Sequence, residues 1–162
     1  MSTPPKLADL LCFDLYAASR AVTAIYRPLL SGLGLTYPQY LVLIVLWRTP
    51  SCTIGQLSEM LRLDYGTLTP LLRRMEANGL LTRQRRTDDE RSVTVELTAA
   101  GTAMRTRTAQ IQHAIQAAVG LNAQQTAALQ STLRAITASA GAKAGAARVG
   151  RDADPAESDF PR

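Results

Sequence analysis

The sequence is poor in cysteine and lacks long apolar runs. Its 162 residues include two cysteines, Cys12 and Cys52, too few for a disulfide framework. The longest apolar run, residues 40–47, is too short to cross a bilayer. The N-terminal segment MSTPPKLADL lacks the basic region and apolar stretch of a signal peptide. We therefore expect a cytoplasmic protein with two free thiols and no membrane partner.

The residue patterns of catalytic and metal sites are also missing. The single histidine, His113, has no second ligand at a metal-binding spacing, and no phosphate-binding glycine loop or nucleophile triad is present. These absences predict a protein that is not an enzyme and that needs no metal or cofactor. A thiol peroxidase is the enzymatic alternative, and the lack of a visible recycling cysteine disfavours it.

Lysine is nearly absent, so the basic character comes from arginine. The formal net charge is +5, yet lysine occurs only at Lys6 and Lys143. Arginine favours bidentate contacts with phosphates and guanine edges. A positive charge of this size also suits a protein that is merely soluble, so the positions of the arginines must decide.

The apolar content, 46%, is enough for one folded domain built mainly from helices. Apolar residues at three- and four-residue spacing predict a first helix over residues 7–30, and Thr36 with Gln39 forms a capping box for a second, all-apolar helix through Trp47. The helical pattern returns from about residue 98 to 119, and Asn122 caps a last helix. Residues 141–162 have no periodicity, and we expect them to be a mobile tail.

Between these helices lies a helix-turn-helix pattern followed by strands. A capping box at Thr53 opens the short helix TIGQLSEML, and Asp64 caps the next helix, DYGTLTPLLRRMEANG, which Gly79 should end. Alternating residues 93–97, together with residues 80–85, predict a hairpin whose polar tip spans residues 86–91. The predicted fold class is therefore mainly α with a small β-hairpin: a winged helix-turn-helix in which residues of about 37–97 form a DNA-binding lobe between N- and C-terminal dimerisation helices, residues 7–31 and about 98–140.

A winged helix places its second helix in the major groove of DNA and its hairpin at the backbone or minor groove. Arginines concentrate in this span, which favours double-stranded DNA as the partner. The alternative is that neighbouring acidic residues pair with them and leave a balanced, solvated face. The candidate DNA-contacting residues of the helix and the hairpin are Tyr65, Thr67, Thr69, Arg73, Arg74, Arg85 and Arg86.

Cys12 and Tyr26 share a face of the first helix but lie far apart. They are fourteen residues apart, close to four turns, which is roughly 21 Å along the axis. They cannot touch within one chain. In a two-fold dimer with antiparallel first helices, Tyr26 of one subunit could meet Cys12 of the other, together with Tyr37. The alternative, which spacing alone favours, is that Cys12 is an inert residue on an apolar face.

The sequence resembles the MarR family of regulators, and within it the organic-hydroperoxide sensor branch, OhrR. The resemblance covers about residues 7–120 and includes LCFDLYAASRAVTAIYRPLL, GLTYPQYLVLIVLW, DYGTLTPLLRRMEANGLLTRQR and DDERSVTVELTAAG. It implies a homodimeric repressor that binds a pseudo-palindromic operator. The Asp89-x-Arg91 motif marks the family wing, and Arg91 is implied to enter the minor groove.

The resemblance also implies a redox site. Cys12 matches the peroxide-reactive cysteine, Tyr26 and Tyr37 match tyrosines that hydrogen-bond it from the other subunit, and Tyr16 is implied to line the pocket. Oxidation of Cys12 to sulfenic acid by an organic hydroperoxide would then release the operator.

Two departures from the sensor pattern stand out. No cysteine follows Cys52, so the chain resembles the one-cysteine type, which is locked by a low-molecular-weight thiol or by overoxidation. Tyr65 replaces the small residue usual before GTLTP, which alters the expected operator contacts. The alternative function is a MarR-type repressor that responds to a phenolic or other small ligand between its two lobes, with Cys12 structural.

Overall fold

The computed structural model describes residues 5–85 and 92–152, with side chains up to residue 141. A 3-10 turn at Leu7–Asp9 comes first. The remaining elements are α1 (Leu11–Ser31), α2 (Tyr37–Arg48), β1 (Ser51–Thr53), α3 (Ile54–Leu61), α4 (Tyr65–Ala77), β2 (Leu81–Arg85), β3 (Val93–Leu97), α5 (Ala99–Arg107), α6 (Ile111–Val119) and α7 (Ala123–Asp152).

The predicted winged helix-turn-helix is confirmed. α3 and α4 are joined by residues 62–64, where Arg62 adopts a left-handed backbone (φ 54°) and Ser58 donates a hydrogen bond to the Leu63 carbonyl at 2.6 Å. β2 and β3 pair antiparallel, with Leu81 opposite Leu97. The prediction of two strands was incomplete, because β1 adds a third strand on the other side of β3, in the order β1-β3-β2.

The predicted caps are present. The Thr36 amide donates to the Gln39 side chain at 2.8 Å, and Asn122 and Gln125 bond each other's backbone amides. Gly79, with φ +69°, follows the end of α4 as expected. These short-range bonds set the helix starts and stops that the sequence indicated.

The first helix begins later than predicted. Leu10 adopts an extended backbone (φ −98°, ψ 104°), because the turn before it is closed by bonds of the 3-10 type from Asp9 to Lys6 and from Leu10 to Leu7. The continuous helix therefore starts at Leu11. Cys12 therefore lies in the first turn of α1.

The later helices also differ from their prediction. The single helix predicted over residues 98–119 is broken between α5 and α6, where the Thr108 hydroxyl donates to the carbonyls of Met104 and Arg105 at 3.0 and 3.2 Å. The last helix continues to Asp152, beyond its predicted end, because residues 140–149 are rich in alanine, the strongest helix former. That residues 141–162 are mobile stays a prediction.

The core is built around α2, as its apolar character predicted. Val42, Leu43 and Leu46 of α2 are completely or almost completely buried, and they belong to one cluster with Leu68, Leu72 and Met75 of α4. Cys52 is also buried in this cluster, opposite Val95, and its Sγ lies 3.4 Å from the Thr49 carbonyl. Cys52 is therefore not an exposed thiol, because β1 turns its side chain inward.

The chain divides into two compact units, residues 1–119 and residues from 120 onward. The first holds the winged helix, α1, α5 and α6, and the second holds α7. In the described parts of the chain, no helix combines the length and apolar character needed to cross a membrane.

Candidate functional site

The N-terminus of the recognition helix α4 is fixed by Asp64. Its carboxylate accepts hydrogen bonds from the Thr67 amide at 2.8 Å and from the Thr67 hydroxyl at 3.0 Å, and these bonds lower the pKa of Asp64. Thr67 is exposed, but its hydroxyl proton is given to this cap, so it can meet DNA only as an acceptor or through its methyl group. Thr69, two residues further along α4, is half-buried.

Tyr65 projects from the first position of α4. Its side chain is 59% exposed, and a Cβ placed on Gly55 of α3 would lie 2.9 Å from the Tyr65 hydroxyl. The glycine therefore leaves the space in which this large residue rests against the start of α3. The ring lies beside the exposed start of the recognition helix. At this position, just before GTLTP, the sensor pattern usually has a small residue.

Three of the arginines on α4 and at the end of β2 are exposed. Arg73, Arg74 and Arg85 are exposed, and the Arg74 Nε donates to the Pro70 carbonyl at 3.3 Å. The helix continues unbroken through Pro70. Arg86, Asp89 and Arg91 lie outside the described residues, so the contacts expected of the wing tip stay predictions.

Arg83 has a structural partner in Glu76. Its Nε and Nη2 donate to one carboxylate oxygen at 2.9 and 2.6 Å, and its backbone amide donates to the other at 3.0 Å. These bonds lower the pKa of Glu76. Arg83 therefore follows the alternative in which an arginine pairs with a neighbouring acidic residue. The Glu76–Arg83 pair joins the recognition helix to strand β2.

Cys12 is exposed in the isolated chain, in the first turn of α1. Around it, α1 and the turn before it present large apolar side chains to solvent, an unusual feature for a folded chain. These residues, named here the α1 apolar face, are Leu7, Leu10, Leu11, Phe13 and Tyr16.

Tyr26 and Tyr37, which the sequence linked to Cys12, lie together at the other end of α1. Their ring centroids are 4.6 Å apart with planes tilted by 45°, and Tyr26 is only 7% exposed. Burial raises the pKa of both hydroxyls above the ordinary 10.0; Tyr37 raises that of Tyr26 further, and a hydrogen bond with Gln112 lowers it in part. Both phenols are therefore protonated at neutral pH and are able to donate hydrogen bonds.

Tyr16 does not join this pair. Its hydroxyl accepts a hydrogen bond from Arg20 at 2.9 Å, and the Arg20 guanidinium lies 5.5 Å from the centre of its ring. Tyr16 thus lies one helical turn beyond Cys12, between the cysteine and an arginine.

An open groove of about 670 Å³ lies beside Tyr37, between the second half of α1 and the start of α2. Its lining combines cationic, hydroxyl and apolar groups. It is lined by Arg20, Thr23, Ala24, Arg27, Leu30, Ser31, Leu35, Thr36 and Tyr37. Through this groove, Tyr37 is accessible from outside the chain.

Comparison with known proteins gives a consistent set of matches. The sequence profile of the MarR family matches residues 35–93. The organic hydroperoxide resistance transcriptional regulator of Bacillus subtilis (strain 168) is 50% identical over 106 residues, which are 65% of this chain and 72% of the relative. The chain belongs to the MarR family.

Solved structures agree with this assignment. Reduced AbfR bound to DNA has a TM-score of 0.69 and 33% identity, covering 80% of this chain and 91% of AbfR. Overoxidized AbfR bound to DNA has a TM-score of 0.68 and 31% identity, covering 81% and 93%. This MarR-family chain is a DNA-binding transcription regulator and not an enzyme.

Sequence reasoning missed some of the residues around the tyrosine pair of this MarR-family regulator. Tyr40 lies 6.1 Å from Tyr26, ring centre to ring centre, and its hydroxyl accepts a hydrogen bond from Gln112 at 3.4 Å. Tyr37 and Tyr40 are three residues apart on α2, so their spacing could have predicted that they lie on the same side of the helix. Gln112 is 72 residues from Tyr40, and no local pattern could have found it.

Proposed function

We propose that this regulator is a homodimeric, cytoplasmic repressor that leaves its operator when an organic hydroperoxide oxidises Cys12. The observation that carries the proposal is the separation of two matched half-sites within one chain. Cys12 is exposed at the start of α1, while Tyr26 and Tyr37 form a pair at its other end beside an open groove. Fourteen residues of helix keep the halves roughly 21 Å apart.

An antiparallel dimer would join the two halves. The α1 apolar face needs a partner, and α7 exposes Leu129 and Leu133 on its own surface. A second copy that covers the α1 apolar face would bring Cys12 of the partner subunit to the groove beside Tyr37. The protonated hydroxyls of Tyr26 and Tyr37 would then donate hydrogen bonds to the thiolate and stabilise it.

The chemistry is a two-electron oxidation of sulfur. The Cys12 thiolate attacks one peroxide oxygen, an S–O bond forms, the O–O bond breaks, and the leaving alkoxide takes a proton to become an alcohol. The resulting sulfenic acid is larger and is itself a hydrogen-bond donor, so it disrupts the tyrosine contacts. A low-molecular-weight thiol can then condense with it, releasing water and forming a mixed disulfide.

The change at the tyrosines would repack the dimer and move its two recognition helices out of register with successive major grooves. Tyr65, Thr67, Thr69, Arg73 and Arg74 are the proposed contacts from α4, with Arg85, Arg86, Asp89 and Arg91 from the wing. Support for a hydroperoxide as inducer comes from the similarity to the organic hydroperoxide resistance transcriptional regulator of Bacillus subtilis.

Operator gel shifts test this proposal. A duplex selected from a random-sequence library would be bound by wild type, Cys12→Ser and the control Cys52→Ala, with and without cumene hydroperoxide. We expect peroxide to release wild type and Cys52→Ala but not Cys12→Ser. Release of Cys12→Ser by peroxide would refute sensing by Cys12, and release of wild type by a phenolic compound alone would favour the ligand-responsive alternative.

A further inference from the structure

Trp47, near the end of α2, lies between the tyrosine cluster and the base of the wing. Its ring packs edge-on against Tyr40, with ring centroids 6.2 Å apart and an interplanar angle of 67°, and Tyr40 in turn lies 6.1 Å from Tyr26. On its other side, the indole Nε1 donates a hydrogen bond to the Gly101 carbonyl of α5 at 3.1 Å, across 54 residues of sequence. Trp47 thus contacts both the tyrosine cluster, through Tyr40, and the first turn of α5, through Gly101.

Gly101 is itself pressed against the end of the recognition helix. A Cβ built on it would lie 2.0 Å from the Leu80 carbonyl oxygen. Two hydrogen bonds reinforce this approach: the Thr98 amide donates to the Leu80 carbonyl at 3.2 Å, and the Thr98 hydroxyl donates to the Gly79 carbonyl at 2.6 Å. The start of α5 is therefore held against Gly79 and Leu80, two of the three residues that connect α4 with β2.

We propose that Trp47, acting through Gly101, is a positioning residue that transmits changes at the Tyr26–Tyr37 pair to the recognition helix and the wing. The inference rests on the proposed redox function and adds the route by which it reaches DNA. A closely packed interior transmits a displacement between neighbours and does not absorb it. A shift of Tyr26 displaces Tyr40 and Trp47, Trp47 pulls the first turn of α5, and that turn moves Gly79 and Leu80.

The hydrogen bond, rather than ring packing alone, is the directional part of this link. An indole has one N–H donor, and here it reaches a backbone carbonyl in the helical turn that touches Leu80. Phenylalanine at position 47 keeps an aromatic ring against Tyr40 but cannot donate. Trp47→Phe therefore separates transmission from packing, and Ile44→Val, a small change at another half-buried residue of α2, is its control.

Operator affinity and Cys12 oxidation are measured separately. For reduced Trp47→Phe we expect an operator Kd within about threefold of wild type, and by mass spectrometry Cys12 gains one oxygen from cumene hydroperoxide at the wild-type rate. The loss of affinity on oxidation should be at least about fivefold smaller than in wild type or Ile44→Val. A full wild-type loss in oxidised Trp47→Phe overturns the inference.

Trp47 is also the only tryptophan of the chain, so tryptophan fluorescence reports directly on its contacts with Tyr40 and Gly101. Oxidation of Cys12 should shift the emission of wild type and leave that of Cys12→Ser unchanged. Operator release by wild type without any change in emission would count against Trp47 as the link.

A second measurement does not involve peroxide and so separates failure of this inference from failure of the redox proposal. In reduced protein, Tyr37→Ala perturbs the tyrosine pair, and a double-mutant cycle with Trp47→Phe measures whether operator affinity depends on the two positions jointly. We expect a departure from additivity of at least about threefold in Kd. Additive effects would overturn the proposed role of Trp47 even if peroxide releases wild type from the operator. If the two positions are coupled but peroxide does not release wild type, only the redox proposal is refuted.

Discussion

The rings of Tyr26 and Tyr37 lie 4.6 Å apart, one inside the core and the other at the edge of an open groove. Tyr26 comes from α1 and Tyr37 is the first residue of α2, so the pair joins the two helices where they meet. Because burial raises the pKa of both hydroxyls, both are neutral donors at neutral pH, and Tyr37 lines the groove. A donor pair of this kind is complementary to an anion such as a thiolate.

Removal of the Tyr26 hydroxyl should slow the reaction of Cys12 with peroxide. A hydrogen bond to a charged group contributes about 1.5 kcal/mol, so Tyr26→Phe should lower the rate of Cys12 oxidation by about tenfold. The rate is measured by mass spectrometry in the absence of DNA. Tyr65→Phe, which loses a hydroxyl on α4, is the control and should react like wild type; equal rates for both variants would remove Tyr26 from the site.

The α1 apolar face should hold the dimer together. Leu11 is 62% exposed in the isolated chain, and an aspartate there would place a charge inside the proposed interface. Leu11→Asp should sediment as a monomer at micromolar concentration and lose operator affinity. Met60→Asp, at an exposed apolar residue of α3, should stay dimeric; a dimeric Leu11→Asp would mean that another surface joins the subunits.

The helix-capping signals in the sequence were reliable. Thr36 with Gln39, Asp64 with Thr67 and Asn122 with Gln125 are contacts between residues three apart, and each begins a helix where the pattern indicated. The alternation in β3 predicted a strand for the same reason, since period-two burial is a local property of the backbone. The recognition helix and the wing strands, and hence the DNA-binding fold, followed from these signals.

The features that needed long-range contacts were not visible in the sequence. β1 is three residues long and exists because Cys52 pairs with Val95, far along the chain. Similarly, the bonds of Trp47 to Gly101 and of Gln112 to Tyr40 connect distant segments. The redox roles of Cys12 and Tyr26 came from a family resemblance, and helix spacing supplied only the requirement for a second subunit.

Cys52 should be unreactive in the folded protein. It is 1% exposed, and burial raises the pKa of its thiol, which leaves little thiolate at neutral pH. In Cys12→Ser, a thiol reagent such as dithionitrobenzoate should therefore label no cysteine under native conditions and one after denaturation. Rapid labelling of the native variant would show that β1 opens readily and that Cys52 is available as a second redox group.

The Glu76–Arg83 pair should make stability depend on pH. The pKa of Glu76 is lowered from its ordinary 4.5 by the hydrogen bonds from Arg83, so the ionised form is favoured in the folded state. The stabilisation is present above pH 4.5 and is lost as the pH falls through the lower, folded-state pKa. The melting temperature of Glu76→Gln should therefore be below wild type at pH 7 and approach it in acid, whereas Glu59→Gln, at an exposed residue of α3, should show no such convergence.

Gly101 should tolerate no side chain, because the Leu80 carbonyl occupies the space that a Cβ needs. The overlap, 2.0 Å, is with backbone that the Thr98 bonds hold in place, so neither partner can move away without breaking the strap between α5 and α4. Gly101→Ala should lose about 3 kcal/mol of unfolding free energy in urea titrations. Gly32→Ala is the matched control: its backbone is right-handed helical and no atom lies within 4 Å of the new Cβ, so it should be neutral or gain about 0.5 kcal/mol. If Gly101→Ala were as stable as this control, α5 would be free to move away from Leu80, and the first turn of α5 could not transmit a displacement to the recognition helix.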